Sequence, residues 1–368
     1  MNIPIYKPYL PPNSLKYAHE ALDSTWISSQ GKYINLAQEK LQELLDVKYA
    51  LLLNNGTSAC HLVAKSLSRK YGKKEIIVPN NVYVAAWNAF LFDKEYTLYS
   101  IDADLDTWNY DLQELDKAII EHPDAAVLVV HNIGNIINIP ELQKKYPNTI
   151  FVEDACEGLL GKYENFYAGT KAFCSSISFF ANKHITSGEG GALLTNDEDT
   201  YLFAKCVQGQ GQSNKRFIHN ELGYNYRITN LESAILLGQI EIKDEILNRK
   251  NDIFNNYRKV FIDRENISIQ EISPNTIHAN WMFGLRINNS NYSEAEKYFS
   301  DKKIEIRSMF YSIENHTYLK NNNSIKLGSN TIGNKLNKEC IILPSFPELT
   351  SNEQNYIINI VEDYLIKL

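Results

Sequence analysis

The chain has few cysteines, no excess of positive charge and no long apolar run, and each lack removes a class of function. Its five cysteines among 368 residues (Cys60, Cys156, Cys174, Cys206 and Cys340) show no C-x-x-C spacing and sit in apolar or helical surroundings. They read as small buried hydrophobes, neither a disulfide framework nor metal ligands. Lysine and arginine total 37 against 44 aspartates and glutamates, a net charge of −7. A nucleic-acid binder or an anionic-membrane binder needs the opposite balance. No apolar stretch is long enough to cross a bilayer, and the opening MNIPIYKPYLPP has no basic start followed by an apolar run. The expectation is a soluble cytoplasmic protein.

What is present is a regular alternation. Apolar residues make up 44% of the chain, enough for a sizeable core. The short apolar runs YALLL, EIIVP, YTLYSIDA, AAVLVVH and TIFVEDA read as strands, and helical segments such as TSACHLVAKSL separate them. This pattern predicts βαβ units and a mostly parallel sheet. It changes near residue 230. A long helical stretch follows, with a break near Lys243, then a Trp-bearing strand (WMFGLRI), a helix (EAEKYFSDK) and a final helix from about Ser351. The Asn-rich segment 320–330 reads as an exposed loop. The predicted fold is α/β: a large domain, 1–243, with a mostly parallel sheet flanked by helices, and a smaller C-terminal α+β domain, 244–368.

Three strand ends carry polar chemistry. In NNGTSA, Gly56 allows a tight backbone, and Thr57 and Ser58 begin a helix whose N–H groups suit an anion. The same residues also make an ordinary N-cap. In FVEDACEG, Asp154 ends an apolar strand and Glu157 follows three residues on. A carboxylate there either caps a helix or faces the ligand crevice of an open sheet. In SFFANKHITSGEGGALLTND, Lys183 stands between two aromatics and a Gly-rich turn, five residues after Ser178. A buried charged lysine is costly unless it is paired or used covalently. A phosphate cradle, an acidic strand end and a buried lysine together describe a site for pyridoxal 5'-phosphate. Metal ligation is not expected.

These blocks, with STWISSQGKYI, IIVPNNVYVAAWNA and LGYNYRITNLESAI, resemble the DegT/StrS sugar aminotransferases of the aspartate-aminotransferase (fold type I) superfamily. The likeness is greatest to the members that make 4-amino-4,6-dideoxy sugars, the perosamine and viosamine synthases. It runs from residue 24 to about 235 and is looser beyond. It implies that Lys183 is the Schiff-base lysine and that Asp154 binds the pyridine nitrogen. Gly56, Thr57, Ser58 and Ser178 would hold the phosphate, Tyr83 would stack on the ring, and Glu157 would sit near its hydroxyl. Asn225 would reach the cofactor of a neighbouring subunit, making the active unit a homodimer. Trp26, Ser29, Lys215, Arg216, His219, Arg227 and His316 would face the substrate. Plainer readings stand beside these: Tyr83 as core, Glu157 as a helix-start acid, Arg227 as an ion-pair partner, and residues 215–219 as a solvated loop.

The activity implied is transfer of an amino group from L-glutamate to C4 of a nucleotide-linked 4-keto-6-deoxyhexose, through pyridoxamine phosphate. Perosamine synthases usually carry a basic residue where this chain has Gln30, and a histidine in a FYPAH-like stretch where it has RSMFYSIENHTYL. These departures favour a UDP- or dTDP-linked, viosamine-type product over GDP-perosamine. Amination at C3 of a 3-keto sugar uses the same machinery. A 3-dehydratase branch has histidine at the lysine position, which makes the register of His184 a point to check. A catalytically idle regulatory protein is the reading from another class, opposed by the intact Lys183, Asp154 and Ser178.

Overall fold

The structure is a computed structural model that describes residues 2–368. Helices α1 (Pro12–Asp23) and α2 (Lys32–Leu45) precede strand β1 (Tyr49–Leu53) and helix α3 (Gly56–Tyr71). Strands β2 (Glu75–Pro79), β3 (Thr97–Ile101), β4 (Ala126–Val130) and β5 (Phe151–Asp154) alternate with α4 (Ala85–Leu91), α5 (Leu112–Glu121) and α6 (Ile139–Lys145). A small hairpin, β6 (Lys162–Tyr163) and β7 (Phe166–Tyr167), leads into β8 (Cys174–Ser178) and β9 (Gly191–Thr195). Helices α7 (Glu198–Gln208), α8 (Asn230–Glu241) and α9 (Lys243–Phe261) follow. The long helical stretch therefore breaks at Ile242, beside the expected Lys243.

The remainder holds β10 (Ile267–Ile269), β11 (Thr276–Ile277), β12 (Phe283–Ile287), α10 (Tyr292–Asp301) and β13 (Arg307–Ser308). Then come α11 (Thr317–Lys320), β14 (Ile325–Lys326), α12 (Thr331–Glu339), β15 (Cys340–Leu343) and α13 (Ser351–Leu365).

The large sheet has eight strands in the order β1-β9-β8-β5-β4-β2-β3-β14. All run parallel except β9, which is antiparallel to both of its neighbours. The loop 179–190 between β8 and β9 holds no crossover helix, and β9 returns beside β8 in the opposite direction. Strands β4, β8 and β9 are buried along their whole length. Burial of both faces marks a sheet covered on both sides, and β4 (AVLVV) meets it with a continuous apolar run. The class read from the sequence is the class observed.

The Asn-rich segment departs from its expected loop. Ile325 and Lys326 add an edge strand, with Ile325 opposite Leu98 of β3. Of the two apolar side chains in this polar run, pairing buries Ile325 and leaves Leu327 largely exposed.

A second sheet, β10-β12-β15-β13, forms with α9, α10 and α13 the C-terminal core around Phe254, Tyr257, Phe283, Phe299 and Ile341. Ile3 belongs to this core and bridges to Ile304. Strand β11 pairs with β6 of the other part. We propose 1–243 and 244–368 as the two units, each lending segments to the other at these contacts. Among the described residues, no helix is long and apolar enough to cross a membrane.

Candidate active site

A cavity of about 440 Å³ opens where β4, β5 and β8 end, at Val130, Asp154 and Ser178. This is the carboxyl edge at which open parallel sheets take ligands. Its size lies in the range of small-molecule sites.

One wall is the start of α3. Gly56 and Thr57 line the cavity. The first amides of a helix have no intrahelical acceptor. Asn55 caps the helix, its Oδ1 accepting from Ser58 N at 2.8 Å. That takes up the Ser58 amide, and Ser58 is buried and off the cavity lining. The cradle is therefore the Gly56 and Thr57 amides beside Ser178. A Cβ on Gly56 would stand 2.8 Å from the Ser178 Cβ, so only glycine lets the helix approach this closely.

Asp154 is 8% exposed. Its Oδ1 accepts from Cys156 N at 3.0 Å and from Ser176 Oγ at 3.4 Å. Its Oδ2 meets only the Cys60 thiol, at 3.6 Å. Among the described residues it pairs with no cation.

Glu157 is 5% exposed, and its Oε2 accepts from Ile133 N at 2.8 Å. Turns follow it, not a helix, so the helix-start reading falls. Burial raises its pKa to about 7 from an ordinary 4.5, with the Lys183 charge pulling the other way.

Lys183 lines the cavity, with its Nζ 3.9 Å from the centre of the Trp281 ring. The aromatic partner is thus distant in sequence. Phe179 lies in the core, and Phe180 only edges the cavity. Three linked hydrogen bonds fix the backbone around the lysine, one of them to Lys183 itself. Tyr6 Oη donates to Lys183 O at 3.0 Å, Trp281 Nε1 donates to Asn182 O at 2.8 Å, and the buried Lys250 Nζ donates to Trp281 O at 2.7 Å. His184 is buried off the cavity, with its pKa lowered to about 3 chiefly by burial and next by the Lys250 charge. The register question is answered: the lysine, not the histidine, faces the cavity.

Tyr83 is 59% exposed and lines the cavity, so it is not core. Arg307 and Phe310, from the RSMFYS stretch, also line it, as do Cys60 and Cys156. None of these four was singled out by position in the sequence. Only the RSMFYS stretch had been marked as facing substrate.

The remaining expected residues lie elsewhere. Trp26 borders a second cavity of about 430 Å³ with Gln30 and Asn230, and Ser29 is half-buried beside it in the chain. Lys215, Arg216 and His219 are exposed on the 210–227 loop. Asn225 and Arg227 are exposed and bonded to each other at 3.3 Å. Arg227 makes no ion pair among the described residues. His316 packs edge-on against Trp87, ring centres 5.7 Å apart, because Trp87 offers a buried aromatic face there.

The site fits pyridoxal phosphate: free helix amides for a phosphate, an unpaired carboxylate for a pyridinium, and a lysine amine without a carboxylate partner. The sequence profile of the DegT/DnrJ/EryC1/StrS aminotransferase family matches residues 9–362. The chain belongs to this family. It is a pyridoxal-phosphate-dependent sugar aminotransferase.

Among the family's members, the chain is 33% identical to a GDP-perosamine synthase of Escherichia coli, over 98% of each. It is 30% identical to a GDP-perosamine synthase of Vibrio cholerae, over 98% of this chain and 99% of the other. The solved structure of Helicobacter pylori PseC, an aminotransferase of pseudoaminic acid biosynthesis, superposes over the whole of both chains with a TM-score of 0.91. At 23% identity, that likeness shows the fold alone.

The raised pKa of Glu157 makes a testable link to stability. A carboxyl whose folded pKa is raised stabilises the fold fully below its unfolded value and loses that contribution as pH climbs through the folded one. For Glu157 this window runs from 4.5 to about 7. Glu157→Gln keeps an acceptor for Ile133 N without the charge. In the cofactor-free chain it should match wild type at pH ~4 and exceed it by up to about 3 kcal/mol at pH ~8. Denaturant midpoints across this range check it; identical pH profiles for the two proteins would refute it.

Proposed function

We propose that the enzyme moves an amino group from L-glutamate to C4 of a GDP-linked 4-keto-6-deoxyhexose, giving a 4-amino-4,6-dideoxy sugar of the perosamine type. The observation that carries the chemistry is one cavity holding Lys183, Asp154, Glu157 and the open start of α3. The nucleotide is argued from the GDP-perosamine synthases matched along almost the whole chain. The opposite lean, toward UDP or dTDP, rested on Gln30 and on the missing histidine. Gln30 borders the second cavity and His316 packs on Trp87, so neither touches the space around Lys183. That weakens the lean.

Pyridoxal phosphate, when bound, supplies an electron sink and carries the amine between donor and acceptor. The Gly56 and Thr57 amides and the Ser178 hydroxyl hold its phosphate by charge-assisted bonds and the helix dipole. Asp154 Oδ2 would keep a proton on the ring nitrogen, and Lys183 Nζ would anchor the cofactor in the resting enzyme. When free, the Lys183 amine would hold and move a proton as general acid and base. Its Nζ rests over the face of the Trp281 ring, which sets where the amine sits in the cavity. Arg307 faces the same cavity and suits an anionic substrate group.

We further propose that the active unit is a homodimer with shared sites. Asn225 and Arg227 lie exposed on a loop that also presents Phe217 and Leu222, 75% and 79% exposed. Apolar side chains of that size cluster where surfaces meet. Sedimentation should give a dimer; a fully active monomer would remove this part.

The substrate assignment is checked with UDP-, dTDP- and GDP-4-keto-6-deoxyhexoses, glutamate as donor, and products identified by mass and NMR. The GDP sugar should have the highest kcat/KM, by about 100-fold, since a site that bonds one base leaves polar groups unpaired with another. Preference for a UDP or dTDP sugar would restore the viosamine-type reading. A 3-amino product would overturn the C4 assignment.

A further inference from the structure

Two cysteines far apart in sequence meet at the cofactor carboxylate. Cys60 lies in the second turn of α3, and Cys156 follows β5 by two residues. With Asp154 they place two sulfurs and a carboxylate oxygen within 4.8 Å of one another. All three residues line the same cavity, so the group is reachable from solvent. The carboxylate is already oriented: Cys156 N and Ser176 Oγ occupy Oδ1, and Oδ2 turns toward the Cys60 sulfur. Cys60 Sγ also sits 3.1 Å from Ser176 Oγ, which fixes its rotamer toward this point.

We infer that Cys60, Asp154 and Cys156 form a binding site for a thiophilic divalent cation, zinc or cadmium, and that this cation and the cofactor exclude each other. The donor set is the right one. Zinc and cadmium favour thiolate sulfur and accept carboxylate oxygen as a further ligand. Zn–S bonds of ~2.3 Å on a tetrahedral centre put two sulfurs about 3.8 Å apart, a small adjustment from the observed cluster. The fourth position faces the open cavity and takes water. On binding, each thiol releases its proton to solvent as its sulfur joins the metal, and nothing is oxidised or reduced. Exclusion follows because Asp154 Oδ2 is the oxygen assigned to the ring nitrogen. This part rests on the proposed function; the metal site itself does not. The site would make the cofactor-free chain sensitive to these cations and the loaded enzyme resistant.

The test uses the full-length chain, stripped of cofactor and kept reduced with a phosphine. Cadmium is titrated in and read by its thiolate charge-transfer absorbance, with zinc as competitor. One cadmium per chain should bind, and zinc should displace it. Cys60→Ser and Cys156→Ser should each weaken binding by more than about 100-fold, the upper range for losing merely an outer-sphere partner. Asp154→Asn, which keeps both thiols, should weaken it at least tenfold, on the order of an outer-sphere loss. Cys206→Ser should leave it unchanged. Far-ultraviolet circular dichroism verifies that each variant is folded. Chain loaded with pyridoxal phosphate and freed of excess should show no cadmium band. Full-strength binding by the folded Cys60→Ser/Cys156→Ser protein would overturn the site. An undiminished band in the loaded enzyme would overturn the exclusion. Cofactor uptake is read separately from its visible absorbance. A chain that takes up cofactor but no cadmium therefore sinks the metal site and leaves the proposed function standing.

Discussion

A carboxylate nearly removed from water, with no cation against it among the described residues, is the constraint on which the site is built. Asp154 ends β5 with 8% of its surface exposed, and its partners are one amide, one hydroxyl and one thiol. Neutral donors offset only part of the cost of desolvating a charge. In the proposed function a pyridinium in the cavity would complete the pairing. Every other element of the site is placed relative to this residue. β8 lies beside β5 and delivers Ser178 and then Lys183 to the same edge. α3 runs back behind them with its open amides at the same mouth.

Lys183 depends on parts of the chain remote from it. Its backbone is bonded by Tyr6 from the N-terminal segment and, one residue back, by Trp281 from the C-terminal part. Trp281 is in turn held by Lys250, a lysine with no exposed surface whose pKa burial drives well down. The role proposed for this amine, to bond, release and shuttle a proton, needs a fixed path. Here the path is set by an indole face and by two backbone carbonyls pinned from other elements. Ile3 bridges to Ile304 and β14 pairs with β3, so the proposed units are also joined by segments remote in sequence.

Much of this was legible in the sequence because it is local. The apolar strand runs, the helix spacing and the strand-end motifs gave the sheet and placed Lys183, Asp154, Glu157 and Ser178 in one cavity. What stayed hidden was nonlocal. Nothing in WMFGLRI says that its tryptophan lies under a lysine about a hundred residues earlier. Nothing in the cysteine spacing says that Cys60 and Cys156 converge. The Asn-rich run looked like a loop because one buried isoleucine is too weak a signal for a strand. His316 was expected at the substrate by likeness of position, and its packing on Trp87 joins residues far apart in sequence that no local pattern connects. The expected residues on the 210–227 loop lie exposed, off the cavity lining, and local sequence gives no partner for them.

The account turns on Lys183, and the most direct measurement is where the cofactor attaches. The purified enzyme is treated with borohydride to fix bound pyridoxal phosphate, digested, and its peptides are mapped by mass spectrometry. The account predicts the added mass on Lys183 alone, and a Lys183→Ala protein that folds, carries no fixed cofactor and does not turn over. Attachment to another lysine, or normal turnover by Lys183→Ala, would contradict it.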